Sequence, residues 1–146
     1  MEKRINIQIT EPQAYKAMFG LEGYLQTAQI TKAHKNLIKI RASQINGCAY
    51  CIDMHTQEAR KAGETEQRIY LLNAWKETDL FTEEEKIILA LTEQITLIHA
   101  QGVTDAVYQQ AEKAFGKNYL AQLIMAIVTI NAWNRIAIST QLEPGK

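Results

Sequence analysis

The residues that stop helices are scarce in this chain and fall where one helix would end and the next begin. It holds seven Gly and two Pro among 146 residues, and the stretches between them repeat apolar side chains at helical spacing. Thr31 opens one such stretch, in which Ala33, Leu37, Ile38, Ile40, Ala42 and Ile45 follow a helical rather than an alternating period. It ends at Gly47, a residue suited to a left-handed helix terminus. The next helix runs from about Cys48 to Ala62 and stops at Gly63, and Thr65-Glu66 begins another through Ile69, Leu72 and Trp75.

Thr82-Glu83-Glu84-Glu85 is a capping box with an acidic first turn that suits the helix dipole. That helix is expected to continue through Ile87 to Leu91, Ile95 and Ile98 as far as Gly102. Thr104-Asp105 starts another, ending near Gly116. The last runs from about Asn118 to Ser139; it is the most apolar and suits a central helix or a subunit contact. Near the start, Thr10-Glu11-Pro12 predicts a helix with Thr10 as N-cap and Pro12 in its first turn, broken or kinked at Gly20 and Gly23. Ile5-Asn6-Ile7-Gln8-Ile9 alternates, but one short terminal strand makes no sheet. The expected fold is all-α, a single-domain helical bundle of about six to seven helices spanning residues 1–146.

Charge and length narrow the function. Sixteen Lys and Arg balance sixteen Asp and Glu, which argues against nucleic acid as a partner, because such binding needs clustered basic charge. The mean hydropathy is −0.23 and no unbroken apolar run approaches the roughly 18–20 residues of a membrane span, so no membrane association is expected. The first ten residues carry no apolar core and no small-residue cleavage site, which makes the expected location cytoplasmic. A chain of this length buries roughly two-thirds of its unfolded surface, so it needs neither metal nor disulfide merely to fold. Two cysteines cannot build a secreted disulfide framework, yet both lie within one helical turn.

Cys48-Ala49-Tyr50-Cys51 follows Gly47 directly, with His55 four residues beyond Cys51. At about 100° per residue, Cys51 lies about 60° from Cys48 and His55 about 20° from it. The three side chains share a stripe with Ile52, Ala59 and Ala62, opposite Asp53, Gln57, Arg60 and Lys61. A helix N-terminus lowers a thiol pKa, and a nearby histidine can take the thiol proton or stabilise the thiolate. Cysteines three apart can close a disulfide, so one sulfur can attack a peroxide and the other can condense with the resulting sulfenic acid. Zinc is a poorer reading, since two thiolates and one imidazole fall one ligand short, and His34 and His99 sit on other helices. A thioredoxin-type motif would need a preceding strand in an α/β pattern. The cysteines could also be small buried hydrophobes in a binding or scaffold protein.

The stretch from Ile38 through Gly47-Cys48-Ala49-Tyr50-Cys51-Ile52-Asp53-Met54-His55 resembles the alkylhydroperoxidase D-like branch of the carboxymuconolactone decarboxylase family. The resemblance continues through Gly63 to Arg68, Leu80 to Glu85, Leu91 to Thr96 and Asn131-Ala132-Trp133-Asn134-Arg135. It implies an all-helical fold assembled as a homo-trimer or homo-hexamer. It also implies reduction of a small hydroperoxide substrate by the cysteine pair, with re-reduction by a protein dithiol such as a lipoyl domain or a thioredoxin-like partner, and no cofactor or metal in the chain. Carried over, Cys51 is the peroxidatic nucleophile, Cys48 the resolving thiol and His55 part of a proton relay. The dipole alone favours Cys48 as nucleophile, whereas the spacing to His55 favours Cys51.

Two positions depart from the family pattern. The relay glutamate twelve residues before the first cysteine is Asn36 here, and the histidine between the cysteines is Tyr50. Glu93, Glu58 and Glu85 are candidate substitutes. Glu93 is preferred because it sits among Leu89, Ala90, Leu91 and Ile95, although an ion pair with Arg41 or Arg135 would also explain it. The non-redox decarboxylase branch is the alternative enzymatic reading, and it makes no use of the cysteine pair. Trp75 and Trp133 read as core or interface aromatics, and Asn131, Asn134 and Arg135 as a subunit contact or support for the site.

Overall fold

The computed structural model of the chain describes residues 3–145. It is all-α, with helices α1 (Ile7–Thr10), α2 (Pro12–Thr27), α3 (Lys32–Asn46), α4 (Ala49–Lys61) and α5 (Glu66–Tyr70). A 3-10 segment (Leu72–Glu77) precedes α6 (Glu83–Thr96), α7 (Ile98–Gln101) and α8 (Asp105–Thr140). That makes nine helical segments among the described residues, against the six to seven expected. The excess consists of short pieces.

Helix starts follow side-chain chemistry. Thr31, Thr65, Thr82 and Thr104 each accept a hydrogen bond from the backbone N–H three residues on, satisfying an otherwise orphaned donor. Both halves of the Thr82–Glu85 capping box form. The N-terminus differs from expectation. Asn6 caps a turn over Ile7–Thr10, so the alternating isoleucines form no strand and Thr10 is the last residue of α1. Glu11 precedes α2 without a side-chain cap, and Pro12 sets the backbone of the first turn.

Helix α2 also runs unbroken through Gly20 and Gly23. Each glycine costs about 1 kcal/mol relative to alanine. Contacts offset that cost: Leu25 is buried, Tyr15 packs edge-on against Trp133 at 5.2 Å, and Trp133 Nε1 donates to Glu22 at 2.9 Å. Helix α6 stops at Thr96, short of the expected Gly102, where Thr96 Oγ1 accepts from Asn131 of α8. The expected boundary at Gly116 is a kink inside α8 with φ 78°.

Helix α3 lies between two apolar cores. Ile38 and Ala42 join Ile88 and Leu91 of α6 and Leu120, Leu123, Ile127 and Ile130 of α8. Leu37 and Ile40 join Ala59, Leu72, Trp75, Phe81 and Leu89. Leu72 and Trp75 of the 3-10 segment both face this second core, on either side of a kink at Ala74 (φ −117°, ψ 28°). Full burial of each large aliphatic side chain contributes roughly 1.5–3 kcal/mol. Helix α8 is long and apolar enough to cross a membrane by length and composition, which reading unbroken runs alone missed because Thr129, Asn131 and Asn134 interrupt the pattern. Its buried face fills the first core, and Val128 and Ile138 are exposed on the other side.

Arg68 ties α5 to α6. It meets Glu64 and Glu85 at 2.8 Å each, donates to the Leu80 carbonyl and lies over the Phe81 ring at 4.7 Å. Burial pushes the Glu85 carboxyl up, but hydrogen bonds from Arg68 and the Thr82 N–H, with the Arg68 charge, leave it below the ordinary carboxylate range. Arg68→Ala should therefore cost about 2–3 kcal/mol at neutral pH, read by urea denaturation, because it leaves the buried Glu85 carboxylate without its counter-charge. The contribution should be present above the unfolded carboxylate pKa and vanish as pH falls through the depressed folded value. Loss of under 0.5 kcal/mol would mean the cluster is only surface pairing.

Candidate active site

The cysteines sit at the junction of α3 and α4. Gly47 takes the left-handed conformation at φ 69°, which reverses the chain at low steric cost. The Cys48 N–H reaches the Ser43 carbonyl at 3.0 Å and the Gly47 N–H the Gln44 carbonyl at 3.2 Å, closing the end of α3. Cys48 is then the N-cap of α4, and its sulfur accepts from the Cys51 N–H at 3.3 Å. The two cysteines are joined as a disulfide with Cα atoms 5.3 Å apart, within the ordinary range for such a bridge. Ala137 of α8 packs against both sulfurs, with Tyr50 and Leu142 beside them.

The buried face of α4 is Cys51, His55 and Ala59. Ala62, expected on the same stripe, is exposed because it ends the helix. Cys51 and His55 open into a cavity of about 340 Å³, whereas Cys48 does not line it. Its apolar wall is Tyr15, Phe19 and Trp133, whose rings lie 5.2–5.8 Å apart, together with Met54. Its polar wall includes Glu22, Lys39 and Glu58.

The carboxylate that meets His55 is Glu58, at 2.8 Å from Nδ1. An ionised carboxylate only accepts, so Nδ1 carries the hydrogen and Nε2 keeps a lone pair. Burial lowers the His55 pKa below the ordinary imidazole value, with Lys39 acting in the same direction. The Glu58 hydrogen bond and the charges of Glu58 and Glu22 oppose this without reversing it. His55 is therefore neutral at neutral pH and able to accept a proton.

Glu93, the preferred relay candidate from sequence, lies elsewhere. Arg41 Nε and Trp75 Nε1 donate to it at 3.1 and 2.7 Å, and Lys76 stands at 3.4 Å. It does not line the cysteine cavity. Glu85 belongs to the Arg68 cluster. Asn36 faces a neighbouring groove. Sequence reading assigned no site role to Tyr15, Phe19, Glu22, Lys39 and took Trp133 for packing. Glu58 had a local signal, since it stands three residues from His55 on one helix.

These features define an all-helical protein with a Cys-x-x-Cys disulfide whose Cys51 faces a cavity beside a histidine–carboxylate couple. The chain belongs to the carboxymuconolactone decarboxylase family, whose model matches residues 12–94, and it has the AhpD-like fold. It is 45% identical to the uncharacterized protein YdfG of Bacillus subtilis over 139 residues, 95% of each chain. A crystal structure of ATU0492 from Agrobacterium tumefaciens superposes with a TM-score of 0.95 at 36% identity over 99% of both chains. That protein is of unknown function, with a proposed role in antioxidant defence as AhpD. An uncharacterized peroxidase-related protein from Ralstonia eutropha JMP134, an AhpD core, shares the fold with a TM-score of 0.80 at 18% identity, over 95% of this chain and 74% of its own.

Glu58→Gln should move the His55 titration midpoint further down, because it removes a charge and a hydrogen bond that favour the imidazolium. The imidazole proton resonances of His55, followed by NMR against pH, read this directly. An unchanged or raised midpoint would show that Glu58 does not set the state of His55.

Proposed function

We propose that the protein is a thiol peroxidase in which Cys51 attacks a hydroperoxide and Cys48 resolves the product. The observation that carries this reading is that Cys51, and not Cys48, lines the cavity shared with His55 and Glu58. With the disulfide reduced, His55 Nε2 takes the Cys51 proton and the thiolate attacks the terminal peroxide oxygen. The O–O bond breaks, Cys51 becomes a sulfenic acid, and the imidazolium returns its proton to the leaving alkoxide, releasing an alcohol. Cys48 then attacks the Cys51 sulfur, the disulfide forms and water leaves.

A dithiol, carried by a protein such as a lipoyl domain or a thioredoxin-like partner, restores the pair and is itself oxidised to a disulfide. Its thiolate attacks Cys51, the sulfur that lines the cavity, so that Cys48 is the leaving sulfur. The Cys51 N–H and the α4 terminus stabilise Cys48 as a thiolate, which speeds its departure. Position at the helix start and position in the cavity thus assign different tasks to the two sulfurs.

Reduced protein should consume cumene hydroperoxide while its free thiols fall from two to none. Cys51→Ser should lose turnover by at least about 10³-fold. Cys48→Ser should react once and leave a sulfenic acid on Cys51 that dimedone labels, read by mass spectrometry. Full turnover in Cys51→Ser would sink this assignment, whereas no turnover together with thiols whose iodoacetamide reactivity shows an ordinary or raised pKa would favour a binding or scaffold protein.

A further inference from the structure

A second concavity adjoins the cysteine cavity. Lys32, Lys35, Asn36 and Lys39 stand three and four residues apart on α3 and so share one face. With Glu58 and Lys61 of α4 they line a groove of about 490 Å³. Lys39 and Glu58 line the cysteine cavity too, so the two spaces meet at these side chains.

The groove carries uncompensated positive charge. Among the described residues none of its four lysines makes an ion pair. Lys35 donates to the Leu25 carbonyl at 2.7 Å, which leaves its charge unneutralised. The one carboxylate in the lining, Glu58, is engaged with His55. Asn36 adds an independent sign of a ligand. It is 6% exposed, and its amide has no hydrogen-bond partner among the described residues. No fully enclosed polar side-chain atom lacks a partner, so the Asn36 amide reaches open space, either in this groove or in the adjoining one that it lines with Arg68 and Glu85. An amide that no side chain engages, standing between Lys35 and Lys39, is placed to donate to an entering acceptor.

The adjoining wall of Tyr15, Phe19, Met54 and Trp133 calls for apolar bulk. We propose that the site takes an amphiphilic carboxylate, a hydroperoxide whose apolar body lies against Tyr15, Phe19 and Trp133 and whose carboxylate is held by Lys39 and Asn36. The inference rests on the peroxidase reading and names its substrate class. A monoanion fits better than a polyanion, because Glu22 lines the cysteine cavity and Glu58 lines both spaces.

Calorimetric titration of the disulfide form with octanoate and with octan-1-ol tests this without any turnover. Octanoate should bind about 10-fold tighter than the alcohol, the factor expected from one charge-assisted contact. Lys39→Gln should remove most of that preference. Lys61→Gln at the exposed rim should reduce it about 2–3-fold, and it serves as the test if Lys39→Gln does not fold. Equal affinity for octanoate and octan-1-ol in the unaltered protein overturns the proposal, as does a preference that survives Lys39→Gln or, where that variant does not fold, Lys61→Gln. Failure to turn over any hydroperoxide would sink the peroxidase reading and leave the binding ratio to judge the groove.

Discussion

The structure depends on a buried amide network that holds the end of α3 against α8. Asn134 is fully buried; its Nδ2 donates to Ser43 Oγ at 3.0 Å, and its Oδ1 accepts from Asn46 at 2.9 Å. Asn46 also donates to Asn131 at 2.9 Å, and Asn131 donates onward to Thr96 at the end of α6. Three helices thus meet in one set of matched donors and acceptors. An unmatched member would cost about 1–3 kcal/mol, so the network admits one register. Gly47 and Cys48 follow Asn46 directly, and Ala137 lies one helical turn beyond Asn134. The placement of the sulfurs against α8 is therefore set by amides rather than by the cysteines themselves.

Around His55 the competing influences have separate sources. Burial and the charge of Lys39 favour the neutral ring, while Glu58 and Glu22 favour the charged one. Glu58 comes from the same helix, and Glu22 from α2, where Trp133 holds it. Helix α2 therefore supplies both the aromatic wall and one of the charges that tune the base. Helix α2 is thus a wall of the His55 cavity as well as a cover for the core.

Legibility in the sequence tracked the range of the interactions. Four threonine caps and the Gly47 terminus were readable because a cap involves residues three apart, and each formed as expected. The first ten residues were not, because Asn6 competes with Thr10 for helix initiation and nothing local decides between them. Cys48, Cys51 and His55 could be grouped from helical angle alone. Tyr15, Phe19, Glu22 and Trp133 could not, since they meet only after helices more than a hundred residues apart pack together. Glu93 misled for a related reason: a carboxylate among apolar neighbours looked anomalous until Arg41 and Trp75, distant in sequence, were found beside it. The carboxylate that does meet His55 was one turn away.

The bridge between Cys48 and Cys51 spans three residues at the start of a helix. Its loop is so short that closing it removes little freedom from the unfolded chain, since that entropy grows with the length of chain enclosed. The surrounding helices are secured by the two large apolar cores and by the Asn134 network, neither of which includes the sulfurs. The bridge is consequently a minor contributor to folding beside those cores. Reduction of the pair should therefore leave the helical scaffold in place, with thermal stability carrying little record of the state of the sulfurs.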